Sequence, residues 1–263
     1  MPRFPAHPER RPAVVTGASS GLGRAIAVAL GAAGHPVALG ARRRDRTEAA
    51  ADEIRAAGGE AVALPLDLNE PDSVASFAKE AESALGPTEV LVSCAGEVRP
   101  GSSVDTPPEG FLRQVEVNLL GPQQLLHHLG PGMVERRRGD VVFVSSEAAS
   151  SPWPGVAAYV AAKTGLEALA RAAAMELEGT GVRVGVIRPG RAATEQGATW
   201  SEQDLLDVTE TWTRWGLLRH AGTLRGREVA AAVLVMASMP RGTHISLLEV
   251  LPEAPVIEEG LAT

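Results

Sequence analysis

The sequence has a single cysteine, no long apolar run and no metal-ligand spacing. Of its 263 residues only Cys94 is a cysteine, which excludes an intrachain disulfide and fits a reducing compartment. No stretch approaches the roughly 18 apolar residues of a membrane span. The opening "MPRFPAHPERRP" lacks the apolar segment of a secretory signal, and the six histidines show no metal-ligand spacing with the cysteine. We therefore expect a cytoplasmic protein with no membrane contact and no metal.

Acidic residues outnumber basic ones, 32 to 25. The formal net charge is −7, which argues against a general nucleic-acid binder, because such proteins normally present a basic face. Arginines cluster at 42–46 and at 136–138, a pattern that is also typical of solvated helix ends and loops. The hydrophobic fraction of 44% is enough for a large buried core, so we expect an ordered globular protein.

Short apolar runs alternate with longer Ala-rich segments along most of the chain. Strands are predicted at residues 13–18, 36–41, 60–67, 89–96, 139–146, 182–190 and 244–250. Helices are predicted between them, at residues 23–34, 46–59, 71–85, 109–136, 157–178 and 227–238. Strands that are apolar along their whole length indicate a parallel sheet covered by helices on both faces. No linker divides the chain, so we predict one domain over residues 1–263, with tails at 1–10 and 252–263.

Tyr159 is the only tyrosine of the chain, and Lys163 is one of just two lysines, the other being Lys79. On a helix the side chains of Tyr159 and Lys163 would lie one turn apart on the same face. Arginine supplies nearly every other positive charge, so a lysine four residues after the lone phenol suggests a chemical role. A Y-x-x-x-K pattern alone is a weak signal, because it often arises by chance.

A glycine-rich turn follows the first predicted strand. The segment "TGASSGLG", residues 16–23, runs directly into a helix. Glycine is needed where the backbone turns sharply and lets a pyrophosphate approach the free amides of a helix N-terminus. The spacing differs from the G-x-G-x-x-G fingerprint of dinucleotide sites. A tight turn that binds no ligand is therefore the alternative interpretation.

Three further motifs accompany the glycine-rich turn and the Y-x-x-x-K pattern. They are N-x-x-G from Asn118, paired serines at 145–146 and P-G at 189–190. Together they resemble the classical short-chain dehydrogenase/reductases, in order and in distance, from about residue 10 to 250. The resemblance implies a Rossmann-like three-layer α/β/α sandwich around a mainly parallel, seven-stranded, doubly wound sheet. It implies an oxidoreductase that transfers hydride between a nicotinamide and a carbonyl or secondary alcohol.

The same resemblance implies a set of four catalytic residues. Tyr159 would be the acid/base, and Lys163 would lower its pKa and hold the cofactor ribose. Ser146 would polarise the substrate carbonyl, and Asn118 would hold a water in a proton relay. A free phenol has a pKa of about 10, so a nearby ammonium and an oxidised nicotinamide are needed to favour the phenolate. Acid/base catalysis tuned in this way contributes roughly a hundred- to ten-thousand-fold in rate.

The end of the second strand bears on the choice of cofactor. NAD enzymes usually place a carboxylate there, which binds the adenosine ribose. This chain has Ala41 at that position, followed by Arg42 and Arg43, and arginine suits a 2′-phosphate. We therefore favour NADP(H), with NAD(H) as the alternative if the arginines are merely solvated. Ser20 adds no support, since some NADP-preferring relatives carry a basic residue there.

The resemblance extends to the rest of the dinucleotide site. It implies contacts from Thr16, Gly17, Ser19, Ser20, Gly21, Leu22, Gly23, Arg42, Arg43, Asp67, Leu68, Ala95, Gly96, Tyr159, Lys163, Pro189, Gly190 and Thr194. Asp67 would lie near the adenine, although a turn or helix-cap role fits it equally well. Ser93 and Cys94 replace the asparagines usual in the family, which weakens the expected bracing of the sheet edge. We expect Cys94 to be a buried small residue.

Aromatic residues make up only 3% of the chain, yet the four tryptophans map near the expected pocket. The candidate substrate residues are Glu147, Trp153, Trp200, Trp212 and Trp215. Pockets have apolar and aromatic walls, and mobile segments often close over them. We hypothesise that residues 191–226 form a lid over a fairly bulky, apolar ketone, aldehyde or secondary alcohol. Alternatively, the tryptophans simply pack this insertion onto the body of the protein.

A non-catalytic NADP(H)-binding sensor or scaffold is the competing hypothesis. Such relatives typically lose the tyrosine or the lysine of the Y-x-x-x-K motif, and this chain keeps both. The resemblance also implies a homodimer or homotetramer, in which the helices at 109–136 and 157–178 pair across a two-fold axis.

Overall fold

One parallel sheet organises the protein. The computed structural model describes residues 6–8, 10–151, 153–197 and 200–256. The strands are β1 (Ala13–Thr16), β2 (Val37–Ala41), β3 (Ala61–Pro65), β4 (Val90–Ser93), β5 (Gly139–Val144), β6 (Val182–Pro189) and β7 (Leu247–Val250). They lie in the order β3-β2-β1-β4-β5-β6-β7, and each neighbouring pair is parallel. The strand order reverses between β1 and β4, and ligands of such sheets bind outside the carboxyl ends of the strands at that point.

Helices cover both faces of the sheet. They are α1 (Gly21–Ala32), α2 (Arg44–Ala56), α3 (Pro71–Leu85), α4 (Pro108–Val115), α5 (Gly121–Glu135), α6 (Ala157–Glu176), α7 (Glu202–Arg214) and α8 (Gly226–Ser238). Helices α1, α2 and α8 pack on one face, whereas α3, α5 and α6 pack on the other. The predicted Rossmann-like sandwich is therefore confirmed, with a sheet that is parallel throughout.

Strand side chains alternate between the two layers. Val15 and Val92 belong to the core under α1 and α8, while Val14 and Leu91 belong to the core under α3 and α5. All four are at most 1% exposed. The mostly apolar composition of the strands is thus explained, because both faces of the sheet are buried.

The predicted long helix at 109–136 is present, but it is not regular along its whole length. A π-helical turn, Glu116–Leu120, separates α4 from α5, and Pro122 lies at the start of α5. Proline has no N–H for a regular helical hydrogen bond, so the ladder is interrupted just before it. The interruption falls on Asn118, one of the predicted catalytic residues.

The last predicted strand, 244–250, is shorter than expected. Regular pairing begins only at Leu247, although Val186 N already donates to Ser246 O at 3.0 Å. The His244 ring nitrogen contacts Val184 O at 2.9 Å, so a side chain takes the place of a backbone hydrogen bond there.

The segment 191–226 contains a helix, α7, that the sequence reading left out. Ser201 caps it by accepting from Asp204 N at 3.1 Å, and Asp204 in return accepts from Ser201 N at 3.2 Å. This reciprocal box has a sequence signature, a serine followed three residues later by an acidic residue, that could have revealed the helix.

A buried ionic cluster lies at the amino ends of the strands, opposite the sheet edge formed by their carboxyl ends. Asp140 on β5 accepts from Arg183 Nε at 2.5 Å and from the Arg11 guanidinium. The three side chains are between 5% and 13% exposed, so the charges depend on one another. Among the described residues there is no helix long and apolar enough to cross a bilayer and no cluster suited to a metal.

Candidate active site

Helix α6 carries the candidate acid/base and its cation. Tyr159 and Lys163 lie one turn apart on it, as the sequence predicted, and are 8% and 3% exposed. Lys163 Nζ is 5.8 Å from the centroid of the Tyr159 ring. It donates to Val144 O at 2.8 Å, which ties the lysine to the carboxyl end of β5.

Burial shifts the proton equilibria of both groups. It raises the pKa of Tyr159 to about 12, against a smaller opposing effect of the Ser146 hydroxyl. Burial lowers the pKa of Lys163 to about 8, and the nearby Cys94 and Glu167 oppose this shift. The charged form is disfavoured in each case, because a low-dielectric site solvates ions poorly. The Tyr159 phenol therefore keeps its proton near neutral pH and can donate it to a substrate oxygen.

Ser146 stands opposite the phenol at the start of a short 3₁₀ turn, Glu147–Ala149, directly after β5. Its Oγ accepts from Ala148 N at 3.2 Å. A hydroxyl that accepts from the backbone still has its own hydrogen to donate. Ser146 can therefore donate to a carbonyl oxygen in the cavity while its position is fixed by the turn.

Asn118 is fully buried in the π-helical turn. Its Nδ2 donates to Glu97 O at 2.7 Å and to Gln114 O at 2.8 Å, and its Oδ1 accepts from Glu97 N at 3.3 Å. Both amide hydrogens are thus committed to backbone carbonyls. Asn118 does not line the cavity described below, and its predicted relay role stays a prediction.

The glycine-rich turn brings β1, α1 and the end of β4 close together. Thr16 Oγ1 accepts from Cys94 N at 3.1 Å and from Ala95 N at 3.0 Å, which braces the "SCAG" segment despite its missing asparagines. Gly17 has φ +70°, and a Cβ there would lie 2.8 Å from Ala95 Cα. A Cβ on Gly23 would lie 2.4 Å from Gly17 O, so the close backbone packing of this turn excludes a side chain.

The amino end of α1 is open to an anion. In its fully described first turn there is no acidic residue, and the Ser20 side chain does not cap the helix. Its free amides and dipole would therefore favour a phosphate. Arg43 lies beside this turn and donates to Ser19 Oγ at 3.0 Å and to Ser20 Oγ at 2.7 Å. Arg42 is exposed to solvent.

Two predicted cofactor residues have structural roles of their own. Asp67 Oδ1 accepts from Asn69 N at 3.0 Å and from Asn69 Nδ2 at 2.9 Å, which matches the alternative turn role. Leu68 is 5% exposed and packs against Gly121 at the start of α5. Its side chain is part of the core under α3 and α5.

A cavity of about 260 Å³ joins the reactive groups to the segment after β6. Among the predicted site residues it is lined by Leu22, Gly96, Ser146, Glu147, Trp153, Tyr159, Lys163, Pro189, Gly190, Thr194, Trp200 and Trp212. Cys94 also lines it and is half-buried; burial raises the pKa of its thiol to about 12, which keeps it protonated and unreactive.

The tryptophans divide into two groups. Trp153 and Trp212 form an edge-to-face pair with ring centroids 4.6 Å apart, and Trp200 Nε1 donates to Val98 O at 3.1 Å. These three line the cavity, whereas Trp215 is 70% exposed and lies outside it. Trp215 was expected near the pocket and is not, because it follows the last residue of α7, on the solvent side.

Two charged residues at this site were not predicted from the sequence. Arg191 follows the P-G motif directly, lines the cavity and donates to Gly222 O at 2.9 Å. Burial raises the pKa of Glu147, and Arg191 opposes that shift. Glu195 pairs with Arg43 and was not singled out, because the two are far apart in sequence.

Comparison with known proteins agrees with this geometry. The sequence model of the family described as short chain dehydrogenase matches residues 11–205. A short chain dehydrogenase of Pseudocercospora fijiensis is 39% identical, over 98% of this chain and 85% of its own length. A metagenomic short-chain oxidoreductase solved with NADP is 34% identical, with a TM-score of 0.78 over 92% of this chain and 97% of its own.

An actinorhodin polyketide ketoreductase variant solved with NADPH has a TM-score of 0.82. It is 27% identical, and the match covers 93% of this chain and 97% of the ketoreductase. Together with the geometry of the glycine turn, the serine, the tyrosine and the lysine, these matches lead to one conclusion: the chain belongs to the classical short-chain dehydrogenase/reductase family of oxidoreductases, which act on alcohol and carbonyl groups.

Proposed function

We propose that the protein is an NADP(H)-dependent oxidoreductase that interconverts a bulky, apolar ketone or aldehyde and its alcohol, with Tyr159 as acid/base. The observation that carries this proposal is the buried Tyr159 phenol, which lines the cavity together with Ser146 and Lys163. A nucleic-acid-binding or metal-dependent function would not explain why these three side chains line one cavity.

The reducing direction needs one hydride at carbon and one proton at oxygen. A bound nicotinamide cofactor supplies the hydride. The Ser146 hydroxyl donates a hydrogen bond to the carbonyl oxygen and fixes its position. Tyr159 then transfers its proton to that oxygen, and the nearby Lys163 ammonium stabilises the phenolate that remains. The reverse reaction uses the same groups, with the phenolate as base.

Two features support NADP(H) as the cofactor. Arg43 lies between the glycine turn and the end of β2, where its guanidinium, Ser19 and Ser20 offer donors for a 2′-phosphate. In addition, the metagenomic oxidoreductase and the ketoreductase were solved with NADP and NADPH, respectively. The close backbone packing at Gly17 suits the approach of a pyrophosphate.

The cavity walls favour an apolar substrate. Trp153, Trp200 and Trp212 supply most of the aromatic surface, and α7 carries the last of them from the segment 191–226. We propose that this segment acts as a lid. Glu147 adds one polar group, whose pKa is raised by burial, so it is protonated more readily than an exposed carboxylate.

The decisive comparison is Tyr159→Phe against the unchanged protein. NADPH oxidation is followed by absorbance with a panel of bulky aromatic ketones and diketones, and cofactor binding by quenching of tryptophan fluorescence. We expect the variant to bind NADPH normally and to lose carbonyl reduction by at least about a hundredfold. Undiminished reduction by the variant would contradict the acid/base role. Binding without turnover by the unchanged protein, on every carbonyl tried, would favour the sensor function.

We also propose that the protein assembles as a homodimer or homotetramer through α4, α5 and α6. Leu112 on α4, Met175 on α6 and Leu120 in the π-helical turn are between 41% and 77% exposed, and an interface over these helices would bury them. Light scattering during size-exclusion chromatography measures the mass directly, and a monomer at all concentrations would refute the proposal.

A further inference from the structure

The loop that follows β6 passes the glycine-rich turn and lines the cavity with Thr194. Two backbone hydrogen bonds join its first residues to Leu224. Ala193 N donates to Leu224 O at 2.8 Å, and Leu224 N donates to Arg191 O at 2.9 Å. Further along, Thr194 lies only 3.5 Å from the position of a Cβ on Gly21. The loop is thus anchored at its base and lies directly over the glycine-rich turn.

Glu195 extends from this loop to the arginines beside the second strand. Its Oε2 accepts from Arg43 Nη1 at 2.7 Å, and its Oε1 accepts from Arg46 Nη1 at 2.8 Å. In the described part of the chain, Glu195 is the one carboxylate that pairs with either arginine. A single glutamate therefore links the lid segment to the edge of the cofactor site.

The donors that hold Glu195 are also those that suit a phosphate. Arg43 also donates from Nε and Nη2 to Ser19 and Ser20, whose hydroxyls accept and so retain hydrogens for an anion. Arginine binds carboxylate and phosphate through the same planar array of N–H groups. A phosphate bound here would meet the negative charge of Glu195 at close range, and the two anions repel each other.

From this geometry we infer that Glu195 is a specificity-determining residue that competes with the 2′-phosphate of NADP(H) for Arg43 and Arg46. The inference rests on the proposed cofactor preference. While Glu195 is paired, it fastens the loop over the crevice, and a 2′-phosphate must displace it to reach the arginines. A cofactor without that phosphate does not compete, so its binding leaves the pairing intact.

Solvent exposure limits how much Glu195 can weaken the binding of a 2′-phosphate. The side chains of Arg43, Arg46 and Glu195 are between 43% and 50% exposed, so solvent screens the pairs. An exposed pair of this kind changes an equilibrium by at most about fivefold. Because the apparent dissociation constant is the intrinsic value divided by the fraction of open molecules, removing the competitor should tighten binding. For two pairs we expect about a three- to tenfold effect.

The test measures binding and needs no turnover. Calorimetric titration of the full chain with 2′,5′-ADP and with ADP compares two ligands that differ only in the 2′-phosphate. The variant Glu195→Gln removes the negative charge and keeps the size of the side chain. The matched control is Glu202→Gln, which makes the same change in charge at an exposed position of α7, with no ion pair among the described residues.

We expect Glu195→Gln to bind 2′,5′-ADP about three- to tenfold more tightly, with ADP binding unchanged and with no effect of Glu202→Gln. Unchanged or weaker binding of 2′,5′-ADP by Glu195→Gln would overturn the inference. Equal tightening in both variants would also overturn it, since net charge would then be the cause. If the unchanged protein binds ADP and 2′,5′-ADP equally well, the NADP(H) preference itself fails, which separates the two proposals.

Discussion

Replacing Lys163 by methionine should stabilise the protein near neutral pH while removing a group that the proposed reaction needs. The Lys163 side chain is 3% exposed, and its Nζ makes one hydrogen bond, to Val144 O. Methionine is similar in length, uncharged and flexible enough to fill the same space. The substitution therefore removes a buried charge without leaving a large cavity.

The expected gain follows from the pKa of Lys163, which burial lowers from 10.5 to about 8. Each pKa unit is worth about 1.4 kcal/mol, so near pH 7 the buried ammonium costs about 3 kcal/mol of folding free energy. The unfolded chain binds more protons between the two pKa values, so stability rises with pH through that window. Near pH 10 the cost has fallen to about 1 kcal/mol.

The lost hydrogen bond to Val144 O offsets about 1 kcal/mol of the gain. Lys163→Met should therefore be about 2 kcal/mol more stable than the unchanged protein near pH 7, and about equal to it near pH 10. Urea unfolding at both pH values measures the difference. The raised pKa of Tyr159 affects both proteins alike and cancels from the comparison.

The only other lysine provides the matched control. Lys79 is exposed on α3, so Lys79→Met should change the free energy of unfolding by less than about 0.5 kcal/mol at either pH. A Lys163→Met protein that is no more stable near pH 7 would refute the reasoning. So would a gain that does not shrink as the pH rises.

Three further changes test other parts of the structure. Gly23→Ala should abolish cofactor binding measured by fluorescence quenching, because its Cβ would lie 2.4 Å from the Gly17 backbone oxygen. Gly110→Ala should bind the cofactor normally, because its Cβ would make an ordinary contact with Pro107 at 3.9 Å. Asp140→Ala should lower the free energy of unfolding in urea by about 3–5 kcal/mol, since it leaves buried arginines unpaired. Trp212→Ala should lower kcat/KM for an aromatic ketone about two- to tenfold, and Trp215→Ala should leave it unchanged.

For each of these three substitutions, one result would contradict the structural reason given for it. Normal cofactor binding by Gly23→Ala would mean that the turn can relax around a side chain. An Asp140→Ala protein as stable as the unchanged one would show that water solvates the two arginines. Equal losses from Trp212→Ala and Trp215→Ala would indicate a general effect on α7 rather than contact with the substrate.

The sequence by itself determined the sheet and the register of the Y-x-x-x-K motif. Strands that are buried on both faces are mostly apolar, and that pattern can be recognised without coordinates. The separation of Tyr159 and Lys163 by one helical turn is likewise a local property. The π-helical turn at Asn118 was not predictable in this way, because propensity alone does not show where a hydrogen-bond ladder shifts by one residue.

Only the tertiary structure decided which side chains meet at the site. Trp212 and Trp215 lie three residues apart, yet one packs against Trp153 and the other faces solvent, because the docking of α7 sets its buried side. Glu195 and Arg43 are separated by 152 positions and meet only through the fold. Local periodicity specifies the elements, whereas contacts between distant segments depend on how loops close and helices dock, which a linear pattern does not encode.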